Sequence, residues 1–184
     1  MNPRIIDEMG FVVIGIAART SNAREVTTAG IIGKQWGRFL QDNLMEQIPN
    51  RTDSSIVAVY TDYAGDRDGE YIFVIGAQVR STGEVPAGMV AKTVPAGRYA
   101  VFTSPKGPVE KVVVETWQQI WSTPTSALGG DRTFQADFEI YDERAADPTS
   151  AQVEVHVGIR ENLRAQRAAG EDAEAGPSCV GMTS

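Results

Sequence analysis

Phe138-Glu139-Ile140-Tyr141 answers Val57-Ala58-Val59-Tyr60 position for position, 81 residues downstream. Each run is strand-like, and successive strand side chains alternate between faces. Phe138 and Ile140 therefore share one face with the type of residue found at Val57 and Val59. Glu139 and Tyr141 share the other face, matching Ala58 and Tyr60. One half of the chain thus carries a carboxylate where the other carries a methyl group. A duplicated scaffold differentiates a binding site at such a position.

Working outward, the flanking segments repeat in the same order. Phe11-Val-Val-Ile-Gly-Ile-Ala17 reads as a strand apolar on both faces, hence buried. Ile32, Trp36, Phe39, Leu40, Leu44 and Ile48 recur at spacings of three and four, the stripe of an amphipathic helix that Pro49-Asn50 ends. Ser55–Tyr63 and Tyr71–Val79 are strands around a hairpin loop. The second half offers strands at Met89–Val94 and Arg98–Thr103, hinged at Pro95-Ala96-Gly97. Pro108 then opens a helix striped by Val109, Val112, Val113, Trp117, Ile120 and Trp121. Strands follow at Phe134–Tyr141 and Gln152–Ile159. Trp36 and Trp117 are also 81 residues apart, and Gly76 and Gly158 are 82 apart. The expected fold is α+β: a duplicated strand-helix-strand-strand repeat, residues 10–80 and 89–160, forming an antiparallel sheet with two long helices. A domain at 1–160 and a short helical extension with a disordered acidic tail at 161–184 complete the expected organisation.

Composition narrows function by exclusion. Against 17 Lys plus Arg stand 24 Asp plus Glu, a formal charge of −7 in 184 residues. Binding to nucleic acid rests on Lys and Arg, so a direct nucleic-acid partner is not expected. His156 and Cys179, one residue of each type, leave no Cys/His metal site or disulfide framework. Cys179 falls in the acidic tail, which sets aside a Cys/His nucleophile pair. The longest apolar run, about Gly10 to Ala18, is too short to span a membrane and follows Asp7-Glu8, unlike a signal peptide. A cytoplasmic protein without membrane partner, metal or cofactor is the expectation.

Pro95-Ala-Gly-Arg-Tyr-Ala-Val-Phe-Thr-Ser-Pro-Lys-Gly-Pro108, then a Trp-bearing helix, then Asp137-Phe-Glu-Ile-Tyr141 resembles the GyrI-like (gyrase-inhibitor-like) family. Its members include the effector-binding domains attached to AraC-type and MerR-type multidrug regulators. The resemblance spans about Met9 to Arg160 and is strongest from Val94 to Ile159. It implies the same duplicated fold and a cleft for lipophilic, often cationic, small molecules with a buried glutamate at its floor. That glutamate maps onto Glu139. The family often has Tyr where this chain has His156, Pro where it has Gly158, and His near Ser104-Pro105. Histidine titrates near neutrality, so His156 bears on which ligand charge is accepted.

Glu139, Tyr141, Tyr99, Tyr60, Trp117 and His156 are accordingly the candidate ligand-binding residues. Aromatic faces would add cation–π attraction to an organic cation drawn by an unpaired carboxylate. Alternation alone also admits another arrangement, in which Glu139, Glu154 and His156 form the wet face of a half-exposed sheet. The family's regulators carry an N-terminal helix-turn-helix module, and only about ten residues precede the first expected strand here. A stand-alone binder of a small organic, possibly cationic, molecule is therefore expected. The alternatives are a hydrolase of electrophilic small molecules, with Glu139 as general base and His156 as proton partner, and a protein-interaction inhibitor of a topoisomerase.

Overall fold

The computed structural model describes residues 2–160. The expected extension and acidic tail at 161–184, with Cys179, lie outside the described residues. Strands β1 (Arg4–Glu8) and β2 (Phe11–Ser21) lead into a one-turn helix α1 (Asn22–Glu25) and helix α2 (Ile32–Gln41). Then come β3 (Ile56–Thr61), β4 (Glu70–Val79), β5 (Val90–Val94), β6 (Gly97–Thr103), α3 (Val109–Ser122), the short α4 (Thr125–Leu128), β7 (Asp131–Tyr141) and β8 (Glu154–Arg160).

All eight strands join one antiparallel sheet in the order β1-β6-β8-β7-β3-β4-β2-β5. Exchanging β1 with β5, β2 with β6, β3 with β7 and β4 with β8 returns the same order reversed. That is the signature of a pseudo-twofold between β3 and β7. Ala58 pairs directly with Glu139 in that central ladder. Because the 81-residue repeat also maps Ala58 onto Glu139, the axis passes between these two residues.

Three sequence expectations change. The first half begins earlier than residue 10, because Arg4–Glu8 is the counterpart of Val90–Val94. β1 pairs with β6 and β5 with β2, so each half lends its first strand to the other half's sheet. A five-residue edge strand with charged ends has little apolar alternation to announce it. Gly76 is not the partner of Gly158: Gly76 faces Val57, and the residue facing Phe138 is His156. The first helix stops at Gln41 rather than running to Ile48, since Asn43 takes a left-handed conformation (φ 50) and a 3₁₀ turn, Leu44–Gln47, follows. Asn tolerates that region better than most residues. Leu44 and Ile48 still reach the core, while Leu40 is 60% exposed.

Both faces of the sheet are apolar. On the outer face, α2 packs Phe39 over Ile14, Ile16, Phe73 and Ile75, and α3 packs Trp117 and Ile120 over Ala100, Phe102 and Val155. The inner face gathers Val13, Val57, Val59, Val74, Tyr99 and Phe138, with no helix among the described residues to cover it. The sheet covers itself by rolling. Phe11 on β2 and Phe138 on β7 are three strands apart, about 14 Å across a flat sheet. Their rings nevertheless meet edge-on with centroids 5.2 Å apart. The central strands therefore serve two cores, which is why β2 reads as apolar throughout.

Candidate functional site

Glu139 points to the outer face, beneath the two helices, and is 1% exposed. Leaving a buried carboxylate unpartnered costs several kcal/mol, and here three donors meet it. Tyr60 donates its hydroxyl to Oε1 at 2.8 Å, and Trp117 donates Nε1–H to the same oxygen at 2.5 Å. Tyr141 donates to Oε2 at 2.7 Å. The expected unpaired carboxylate is thus a fully hydrogen-bonded one. Trp Nε1–H can only donate, so this arrangement is built for an acceptor. Burial still pushes the Glu139 carboxyl above the ordinary range, against the opposing pull of Trp117, Tyr141 and Tyr60. Burial, followed by the Glu139 charge, raises both tyrosine hydroxyls well above their usual value, which keeps them donors.

The pseudo-twofold explains this geometry. Tyr60 and Tyr141 are symmetry mates flanking the axis on which Ala58 and Glu139 sit, so each reaches one carboxylate oxygen. Trp117 packs on Tyr60 with centroids 5.2 Å apart, and its mate Trp36 packs on Tyr141 at 4.7 Å. The halves differ in what lies beyond. On the Tyr60–Trp117 side a cavity of about 460 Å³ opens between the start of α2, the length of α3 and the sheet. Tyr60, Tyr63, Tyr71, Trp117, Trp121, Ile32 and Val113 supply most of its wall. Three of the large hydrophobic side chains left exposed, Val26 (87%), Val114 (54%) and Trp121 (40%), also line it. Glu139 is not at the wall but behind it, covered by Tyr60 and Trp117.

The segment between β2 and α2 forms one side of the cavity and is tied down by polar contacts. Ile31 at the start of α2 offers no capping side chain. Glu25 caps the helix instead, accepting from Ile31 N at 3.0 Å and Ile32 N at 3.1 Å, and from the Thr20 hydroxyl. Asn22 accepts from the Tyr71 hydroxyl at 3.1 Å and donates to Arg67 O at 2.8 Å. The charged groups on the wall are Glu25, Arg67 and Arg132.

A second buried carboxylate stands beside the first. Asp137 is 0% exposed and accepts from Gly158 N at 3.0 Å, the Tyr63 hydroxyl at 2.7 Å, and Arg132 Nη2. Sequence reasoning passed over it, although Asp137 has the same parity as Glu139 in β7 and the alternation could have found it. Arg132 and Tyr63 carried no such signal. A bulge in β7 between Arg132 and Asp137, with Phe134 at φ 51, swings Arg132 across the ring of Phe134 at 4.4 Å.

Tyr60, Trp117, Tyr141 and Glu139 come together. Tyr99 and His156 do not join them. The registers put both on the inner face, where Tyr99 donates to Pro95 O at 2.9 Å and its ring meets Phe138 at 5.3 Å. The His156 ring stacks on Phe138 at 4.3 Å and 19°. Glu154 also faces away from Glu139, since Glu139 pairs with Val155 and Ile140 with Glu154. Glu139, Glu154 and His156 therefore share no wet face. Glu139 and His156, on opposite sides of the sheet, cannot act on one substrate as a base and its proton partner.

Integron-associated effector binding proteins match residues 4–159. The candidate transcriptional regulator YobU of Bacillus subtilis is 37% identical over 147 residues, covering 79% of this chain and 90% of YobU. The transcriptional regulator BrlR of Pseudomonas aeruginosa is 32% identical over 161 residues, 86% of this chain but only 56% of BrlR, so the chain spans about half of that regulator. Among solved structures, an integron cassette protein from the mobile metagenome of Vibrio cholerae superposes with a TM-score of 0.67 at 26% identity, covering 86% of this chain and 96% of that one. The SAV2435 protein, solved bound to tetraphenylphosphonium, gives a TM-score of 0.72 at 17% identity over 91% of this chain and 99% of its own, a likeness of fold alone.

Proposed function

This chain belongs to the GyrI-like effector-binding family, in its integron-associated group, and we propose that its aromatic cavity binds a lipophilic organic cation backed by Glu139. Family membership makes it an effector-binding protein related to the ligand-binding domains of transcription regulators. The cationic preference rests on one observation: Tyr60 and Trp117 line the cavity with their rings while donating their polar hydrogens to a buried carboxylate.

That arrangement strengthens the aromatic faces as cation acceptors. A ring whose N–H or O–H is given to an anion becomes richer in π density, and a cation against its open face also feels the carboxylate behind. Burial removes the water that would otherwise screen that attraction. A protein of similar fold, solved bound to the lipophilic cation tetraphenylphosphonium, supports this reading. Nothing among the comparisons favours the hydrolase or the topoisomerase-inhibitor alternative.

The test is isothermal titration of wild type and Glu139→Gln with two probes of similar shape: tetraphenylphosphonium and neutral triphenylphosphine oxide. Gln keeps an acceptor for Tyr60 and Trp117 and removes the charge. We expect the phosphonium to weaken by about 1.5–3 kcal/mol, the range of a charge-assisted contact. The oxide should change little. Phosphonium affinity in wild type should also rise with pH as Glu139 loses its proton, because only the ionised form attracts a cation. Equal effects on both probes, or none on the cation, would remove Glu139 from the binding role.

A further inference from the structure

Two buried carboxylates lie behind this cavity, each receiving the hydroxyl of a tyrosine on its wall: Glu139 through Tyr60, and Asp137 through Tyr63. Only the second has a guanidinium beside it. Arg132 gives Nη2 to Asp137, lies over the Phe134 ring, and itself lines the cavity. Its Nε finds no acceptor among the described residues. A guanidinium carries five N–H donors in a fixed fork, and one carboxylate oxygen engages a fraction of them. The wall therefore has two chemically different ends. Tyr60 and Trp117 present π faces backed by negative charge. Arg132, whose unpartnered Nε is buried out of reach of solvent, presents to the wall the positive charge of the rest of its guanidinium.

Glu25, the one carboxylate on the wall among the described residues, is not available to that guanidinium, since both its oxygens accept from the start of α2. A ligand that is a cation and nothing more would place its charge in a cavity that also exposes Arg132 and Arg67, and would satisfy none of their donors. A ligand carrying both signs would satisfy both ends.

Resting on the reading of the cavity as a cation site, we infer that Arg132 is a specificity-determining residue and that the preferred ligand is zwitterionic: an aromatic cation that also bears a carboxylate. The cationic ring system lies against Tyr60 and Trp117, and the carboxylate takes the part of the Arg132 guanidinium that reaches the cavity wall. Asp137 holds that guanidinium in place from behind.

Two xanthene dyes sharing one cationic ring system separate these contributions: rhodamine 110, with a free carboxylate, and rhodamine 123, its methyl ester. Fluorescence anisotropy on the full chain should show the carboxylate dye binding about tenfold more tightly than the ester. Arg132→Lys keeps a positive charge beside Asp137 but has no fork, and should bring the affinity ratio close to one. If that variant melts early, the double variant Arg132→Gln/Asp137→Asn removes both charges, leaves no unpaired buried carboxylate, and should give the same ratio. A preference that survives either variant, or an ester that binds as well as the acid in wild type, overturns the role of Arg132 while leaving the cation site standing. Failure of both dyes and of tetraphenylphosphonium to bind overturns both.

Discussion

Glu139 and His156 are both buried and ionisable, and the sheet between them sets them to opposite work. Burial pushes His156 down to about 4, with Glu154 pulling upward and Arg4 and Arg144 adding to the depression. In an unfolded chain the same ring takes a proton near pH 6.5. Between those values the unfolded state binds more protons than the folded one, so stability must fall as pH drops through that window. The loss attributable to this one group is on the order of 3 kcal/mol. Glu139 acts in the other direction: its raised carboxyl holds a proton longer when folded, so that contribution fades as pH rises past the ordinary carboxylate range. Comparing wild type with His156→Phe, which keeps the stack on Phe138, isolates the histidine. Urea midpoints should fall more steeply from pH 6.5 to 4 in wild type than in the variant. Parallel curves would mean that the folded protein protonates His156 without penalty.

The strands and helices were legible wherever periodicity was strong, and less so where an element is short or a contact is long-range. The core helix residues Phe39, Trp117 and Ile120 could be read from spacing, and the central pairing of Ala58 with Glu139 from the 81-residue repeat. Edge strand β1 could not, because pairing with the other half, rather than its own pattern, makes it a strand. Alternation alone also does not say which strands of a rolled sheet share a face. Without that register, Tyr99 and His156 cannot be told from neighbours of Glu139. Close strand approach was invisible for the same reason. Gly15 and Gly76 face each other across β2 and β4, and a Cβ on Gly76 would stand 1.9 Å from Ile14 O. Gly76→Ala should therefore cost several kcal/mol, as overpacking against unyielding backbone does. Gly37→Ala meets nothing within 4 Å on α2 and should instead stabilise by about 0.5–1 kcal/mol. Thermal unfolding of the two variants checks both signs; equal melting temperatures would refute the packing contrast.

The molecule as a whole is a duplicated frame that has been made asymmetric at its axis. The twofold supplies paired tyrosines and paired tryptophans, and Glu139, facing Ala58 across the axis, gives Tyr60, Tyr141 and Trp117 an acceptor. The cavity lies on the side where Trp117 reaches Glu139 and where Val26, Val114 and Trp121 leave apolar surface at the wall. Among the described residues no helix is long and apolar enough to cross a membrane. Crystals grown with tetraphenylarsonium would locate a bound cation, because arsenic scatters anomalously and marks its own position. A single strong anomalous peak is expected in the cavity against Tyr60 and Trp117, on the outer face of the sheet. A peak on the inner face beside His156 and Tyr99, or in the surface groove between Pro49 and Pro86, would contradict the assignment of this cavity as the effector site.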